Sequence, residues 1–298
     1  ARAAEGLLER LEGGGANNRP ATAHFELALF TLAKHAEHDD DAPRRALEIF
    51  DRMRTRWRRD KDANLPIVRC FNLVLKAQSA GAGDGDMDAP KRMEEMVKNL
   101  EDEFRSGMSK IGPNAESYDI LIEAIAQSRQ DEAHAKIRQI MDRMKEIHNS
   151  GLSNAVMPTG RTYSNLLHAC AMAKGDGKTK FQHLTMAVDS FNEYREVWGG
   201  NPNNVLFNRL LMACIFLTEK FSDKQKMVSF VFRQCCAAGM LDDNFFKHFM
   251  KIASKRTKKE VLGTIEHQSF KDLPESWKCN ATPKKNRSVP ALRQPPPK

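Results

Sequence analysis

Apolar positions along the chain recur in two alternating phases, each with the spacing of one face of an α-helix. In the first phase an aromatic residue opens a run of apolar side chains three and four apart, as in Tyr118, Leu121, Ile122 and Ile125, or Phe207, Leu210, Leu211 and Cys214. In the second phase a small or apolar residue is followed by an apolar one four positions later and another three beyond. Its members are Ala4/Leu8/Leu11, Ala46/Phe50/Met53, Ala89/Met93/Met96, Ile137/Met141/Met144, Ala187/Phe191/Tyr194 and Val228/Phe232/Cys235. Steps of four and three keep such side chains on one helical face. The pattern predicts helices in pairs, each with one buried stripe.

Proline punctuates the pairs. Pro20, Pro66, Pro113, Pro158 and Pro202 stand five residues before Phe25, Phe71, Tyr118, Tyr163 and Phe207, and Leu241 takes the proline's place before Phe246. Successive aromatic anchors lie 46, 47, 45, 44 and 39 residues apart. Proline fixes φ and cannot continue a helix, so each recurrence marks a boundary. The period predicts an all-α chain, an α-solenoid of about six helix-turn-helix repeats over residues 1–254. Glycines mark Ser79–Asp88 and Lys174–Lys180 as loops between helices. Residues 255–275 are expected to cap the array, with a short helix over Lys259–His267 that turns Val261, Leu262 and Ile265 inward. Residues 276–298, rich in proline and basic, are expected to form a disordered tail.

Charge changes the picture less than its total implies. The 298 residues carry a formal net charge of +8. Residues 251–298 hold 12 Lys/Arg against 4 Asp/Glu, which leaves 35 of each sign in the first 250 residues. The basic excess belongs to the C-terminal segment, and the helical body is neutral. Its densest basic cluster, Arg52, Arg54, Arg56, Arg58, Arg59 and Lys61 around Trp57, reads as the solvated end of a second helix. No apolar run approaches the roughly 18 residues that cross a bilayer. Six cysteines without CxxC spacing read as free thiols in a reducing compartment. The chain opens inside a second-phase helix, so it reads as a fragment or processed form with any targeting segment upstream.

Catalytic signatures are isolated. Gly81–Asp86 lacks the preceding strand and the Lys-Ser/Thr of a phosphate loop. His35-Ala36-Glu37 lacks the Pro-Cys-x-x-Cys partner of a zinc deaminase. The chain reads as a binding protein, with neither enzymatic activity nor a cofactor or metal expected.

Three stretches carry a family resemblance: Pro113-Asn114 through Tyr118-Asp119, Pro202-Asn203 through Phe207-Asn208, and Ala46-Leu47-Glu48-Ile49-Phe50-Asp51-Arg52-Met53. With the other units, over residues 3 to 253, they resemble the pentatricopeptide repeat, a helical hairpin that can read one RNA base. The Trp…Leu-Gly…Tyr signature of the related tetratricopeptide repeat is missing. The resemblance implies a right-handed superhelix and a monomer that binds single-stranded RNA in organelle RNA metabolism, in a mitochondrion or plastid.

The resemblance also implies that each base is read by the residue after the aromatic together with the residue after the unit's closing proline. The pairs are Glu26 with Ile67, which fits no usual pairing, Asn72 with Asn114 for a pyrimidine, and Asp119 with Thr159, to which no base is assigned. Ser164 with Asn203 is an adenine-type pair and Asn208 with Asp242 a uracil-type pair. Three residues before each reader the family has an aliphatic side chain that sandwiches the base. Here Ala23, Arg69, Glu116, Arg161 and Val205 stand there, and Val205 alone fits well. Arg69 and Arg161 can stack on a base and neutralise phosphate, whereas Glu116 repels it. Two other readings stand beside this one. The polar residues can be helix caps, and the array can be a scaffold for a protein partner, such as an organellar ribosome or an assembly complex.

Overall fold

The computed structural model describes residues 2–13, 20–59, 67–80, 86, 88–128, 130, 132–196, 199–263 and 269–281. Among them are thirteen α-helices and no strand. They are α1 (Arg2–Gly13), α2 (Thr22–His35), α3 (Ala42–Arg59), α4 (Val68–Ser79), α5 (Ala89–Arg105), α6 (Ala115–Gln127), α7 (Ala133–Asn149), α8 (Gly160–Met172), α9 (Gly177–Glu196), α10 (Asn204–Leu217), α11 (Phe221–Ala237), α12 (Asp243–Ile252) and α13 (Lys255–Leu262). The chain divides into two compact units, Ala1–Gln130 with Ala135–Thr159, and Asp131–His134 with Gly160–Lys298. Pro66, Lys61, the glycines at 81, 83 and 85, Ile265 and residues 282–298 lie outside the described residues, with the expectations attached to them.

The proline-to-aromatic spacing has a local cause. Each aromatic anchor is the fourth residue of an even-numbered helix: Phe25, Phe71, Tyr118, Tyr163, Phe207 and Phe246. The proline, or Leu241, sits two positions before the first helical residue. These are the positions that a hydrophobic staple joins across a helix start. Pro20, Pro113, Pro158, Pro202 and Leu241 are buried, as are all six aromatics. Between staple partners lies the N-cap. Asn114, Asn203 and Asp242 accept the backbone N–H of Ser117, Leu206 and Phe245 at 3.0, 2.9 and 2.7 Å. The repeat unit visible in the sequence is therefore a repeated helix N-terminus, capped by a side chain at α6, α10 and α12 but not at α2 or α4.

Three odd-numbered helices bury the whole four-and-three stripe, while in α1 Ala4 and Leu11 and in α9 Tyr194 are only partly buried. Ala46, Phe50 and Met53, then Ile137, Met141 and Met144, then Val228, Phe232 and Cys235 are all buried. In α5 the neighbouring Val97 is buried where Met96 was expected. Within the first unit α2 packs on α1, α3 and α4, and α4 packs on α3, α5 and α6. Within the second, α10 packs on α8, α9, α11 and α12, and α11 packs on α13. Each even-numbered helix thus has helical neighbours on several sides, which is why its apolar stripe is broad. The first unit also encloses a polar contact. Glu101 of α5 accepts the Tyr118 hydroxyl and pairs with Arg143 of α7 at 2.5 Å.

Three boundaries differ from the sequence reading. Helix α9 starts at Gly177, inside the expected loop, because Asp176 accepts the N–H of Thr179 at 2.8 Å. Helix α13 starts at Lys255 rather than Lys259, because Ser254 caps it by accepting the Thr257 N–H at 3.1 Å. The expected tail begins inside a packed segment. Trp277 lies edge-on to Phe232 at 6.0 Å, its carbonyl accepts the Leu241 N–H at 2.9 Å, and Asn280 donates its N–H to Gly239 O at 2.9 Å. An aromatic and an asparagine among prolines and lysines hid this anchor.

Candidate nucleic-acid interface

The residue after each aromatic is the fifth of its helix. In the first unit this position meets the start of the next such helix. Asn72 of α4 donates one amide proton to Asn114 Oδ1 at 3.2 Å and the other to Glu116 Oε2 at 2.9 Å, and accepts the Ser117 hydroxyl at 2.6 Å. Both of its protons are used and its oxygen is engaged. Asn72 is only 1% exposed. Its predicted partner Asn114 is therefore brought to it, but as the cap of α6. Asp119 is likewise buried and accepts the Thr159 hydroxyl at 2.8 Å. Glu26 pairs with Arg69 at 2.7 Å, not with Ile67.

Charges on this face are matched within the first unit. Glu116 occupies the first turn of α6, where the helix dipole favours an acid. Lys76 donates to its carboxylate at 2.6 Å. Arg69 and Lys76, two cations that could have met phosphate, are each held by a glutamate of the adjacent helix. Sequence reasoning missed Ser117 and Lys76; both lie within one helical turn of a residue it singled out.

The second unit differs. Ser164 is buried on α8, while Asn203, the exposed cap of α10, makes no hydrogen bond to it. Arg161 is exposed at the second position of α8. On α10, Asn208 is half-buried; its amide donates to the Asn204 carbonyl at 3.1 Å, and its oxygen lies 3.3 Å from His248 Nδ1 of α12. Asn204 in turn donates to Asp242 Oδ2 at 2.7 Å. Asp242, fixed by that bond and by capping α12, presents a carboxylate beside the first turn of α10. Val205, on the same face as Asn208, is 49% exposed. His168 Nδ1 lies 2.9 Å from an Arg209 guanidinium nitrogen, another α8–α10 contact that the sequence did not single out.

No group of three or more metal-ligating side chains occurs among the described residues, and no helix there is long and apolar enough to cross a membrane. Burial pushes the thiols of Cys70 up to about 11 and of Cys170 and Cys214 up to about 12. Comparison with known proteins matches this chain to no family model and to no curated sequence.

Proposed function

We propose that this chain binds single-stranded RNA, with bases read on the face of the even-numbered helices and the α10–α12 step as its open reading position. One observation carries the reading. Val205 leaves an apolar side chain half in solvent, one turn from the half-buried amide of Asn208 and beside the positioned carboxylate of Asp242. An apolar surface for the face of a base, with an amide and a carboxylate for its edge, is what base recognition requires. Exposed Arg161, one hairpin earlier, supplies a cation for phosphate. The steps at Asn72 and Asp119 take part only if their internal hydrogen bonds open.

The test compares binding of labelled oligonucleotides to the wild type and to Val205→Asp and Asp242→Asn. Asparagine keeps the cap but alters the base-edge acceptor. Val205→Asp is expected to weaken binding about tenfold, in the range of a lost stacking contact, and Asp242→Asn to change base preference, with a lowered melting temperature because one amide oxygen cannot accept from both the Phe245 N–H and the Asn204 amide. Equal affinities for every variant and every base would overturn the reading.

A second reading, a hairpin scaffold for a protein partner, is favoured by the first unit. There Asn72 is consumed internally and Arg69 and Lys76 are neutralised by Glu26 and Glu116. The two readings separate on salt. RNA affinity falls steeply with ionic strength, and a largely apolar protein contact does not.

A further inference from the structure

The groove between α11 and α13 combines features that base reading on α10 does not use. It encloses about 600 Å³ on the surface of the second unit. Phe221 and Phe230, two of its lining residues, are 65% and 58% exposed, an unusual state for phenylalanine. They stand nine residues apart on one helix, roughly 13 Å along its axis, too far to make one apolar patch. The floor between them is polar: Gln225 binds the Ser254 N–H and the Thr257 hydroxyl at 2.8 and 2.9 Å, and so ties α11 to α13. Arg233 and Glu260 pair across the two helices at 2.9 Å.

Charge around the groove is one-sided. Helix α11 carries three Lys/Arg and α13 four, against one acid on each. Arg256 is exposed at the groove, and Lys226, also exposed there, lies 3.6 Å from Asp223 in a same-helix surface pair worth little. A cationic rim attracts a polyanion. Isolated, solvent-facing rings above a polar floor suit the flat faces of unstacked bases, whereas an amphipathic partner helix needs a continuous apolar floor.

We propose that the α11/α13 groove is a sequence-independent contact for single-stranded RNA, with Phe221 and Phe230 stacking on bases and Lys226 and Arg256 holding phosphates. The site does not rest on base reading at Val205, Asn208 and Asp242, and it can hold where that fails.

The experiment titrates the full chain with fluorescein-labelled oligouridine by fluorescence anisotropy over a range of salt. Circular dichroism confirms that each variant is folded, as expected for replacement of exposed side chains. Phe221→Ala and Phe230→Ala are each expected to weaken binding at least about fivefold. Lys226→Gln with Arg256→Gln is expected to flatten the slope of log affinity against log salt by about 1.4, two phosphate contacts on a single strand. Base preference is expected to stay unchanged in all of them. Wild-type affinity and slope in these variants, with loss in Val205→Asp, would overturn the groove and leave base reading standing. The reverse pattern would support the groove and sink base reading. Binding of an acidic amphipathic peptide that the phenylalanine variants lose, without RNA binding, would assign the groove to a protein partner and overturn the proposal.

Discussion

Asn72 shows how one side chain changes role when its neighbours are known. Read alone, an amide after a helix-opening aromatic is a free hydrogen-bonding group. In the fold it holds α4 to the first turn of α6 through three contacts. Asn72→Ala leaves Ser117 and Glu116 short of a buried partner and is expected to cost about 2 kcal/mol, measured as a shift in the urea midpoint. Asn72→Asp is expected to cost more at neutral pH, because a second carboxylate then faces Glu116. His183 is a separate case. Its buried ring has an Nδ1 without a hydrogen-bond partner, and its centroid lies 4.1 Å from that of His134. Burial lowers its pKa, so the unfolded chain takes up a proton first as pH falls. Its contribution to stability is complete above the ordinary imidazole value, about 6.5, and is lost as pH falls from there toward the depressed folded value. Melting temperatures measured from pH 7.5 down to about 5 are expected to fall more steeply for the wild type than for His183→Gln.

At the scale of elements, the helix starts were legible and their partners were not. Proline, cap and aromatic lie within six residues of one another, so local sequence contains the whole signal at Pro113, Asn114 and Tyr118. Which side chain on the next helix receives Asn72 or Asn208 depends on how far neighbouring helices rotate about their axes, and no local pattern encodes that. Ser117, Asn204 and His248 were missed for this reason. The early start of α9 was hidden because Gly175 and Gly177 outweighed the cap at Asp176. Helix ends carry their own prediction. Gly239 follows α11 with a φ of 69°, and the Met240 N–H reaches back to the Cys235 carbonyl at 3.0 Å. A Cβ there would meet Cys279 Sγ at 2.8 Å and Asn280 Nδ2 at 2.9 Å. Gly239→Ala is expected to lose about 1–2 kcal/mol from the left-handed backbone alone, read as a lower melting temperature, with further loss from displacing the segment around Asn280.

Across the whole molecule, burial sorts the chemistry. Five of the six cysteines are buried and Cys279 is exposed. With the thiols of Cys70, Cys170, Cys214 and Cys236 pushed up to about 11–12 by burial, almost no thiolate exists inside at neutral pH. Brief alkylation of the native protein is expected to give one adduct, at Cys279, and six after denaturation, counted by intact mass. Charge is sorted as well. The first unit pairs Arg69 and Lys76 with glutamates on the even-helix face, while in the second Lys and Arg outnumber acids along α11 and α13.

The docking of Trp277 and Asn280 onto the end of α11 sets how the chain can be handled in the laboratory. A truncation that removes residues 269–281 strips the cover from Phe232 and leaves the Leu241 N–H and the Gly239 carbonyl without their acceptor and donor. Such a shortened product exposes an oily, unpaired edge that invites precipitation. An affinity handle fused beyond position 281 keeps that clasp shut.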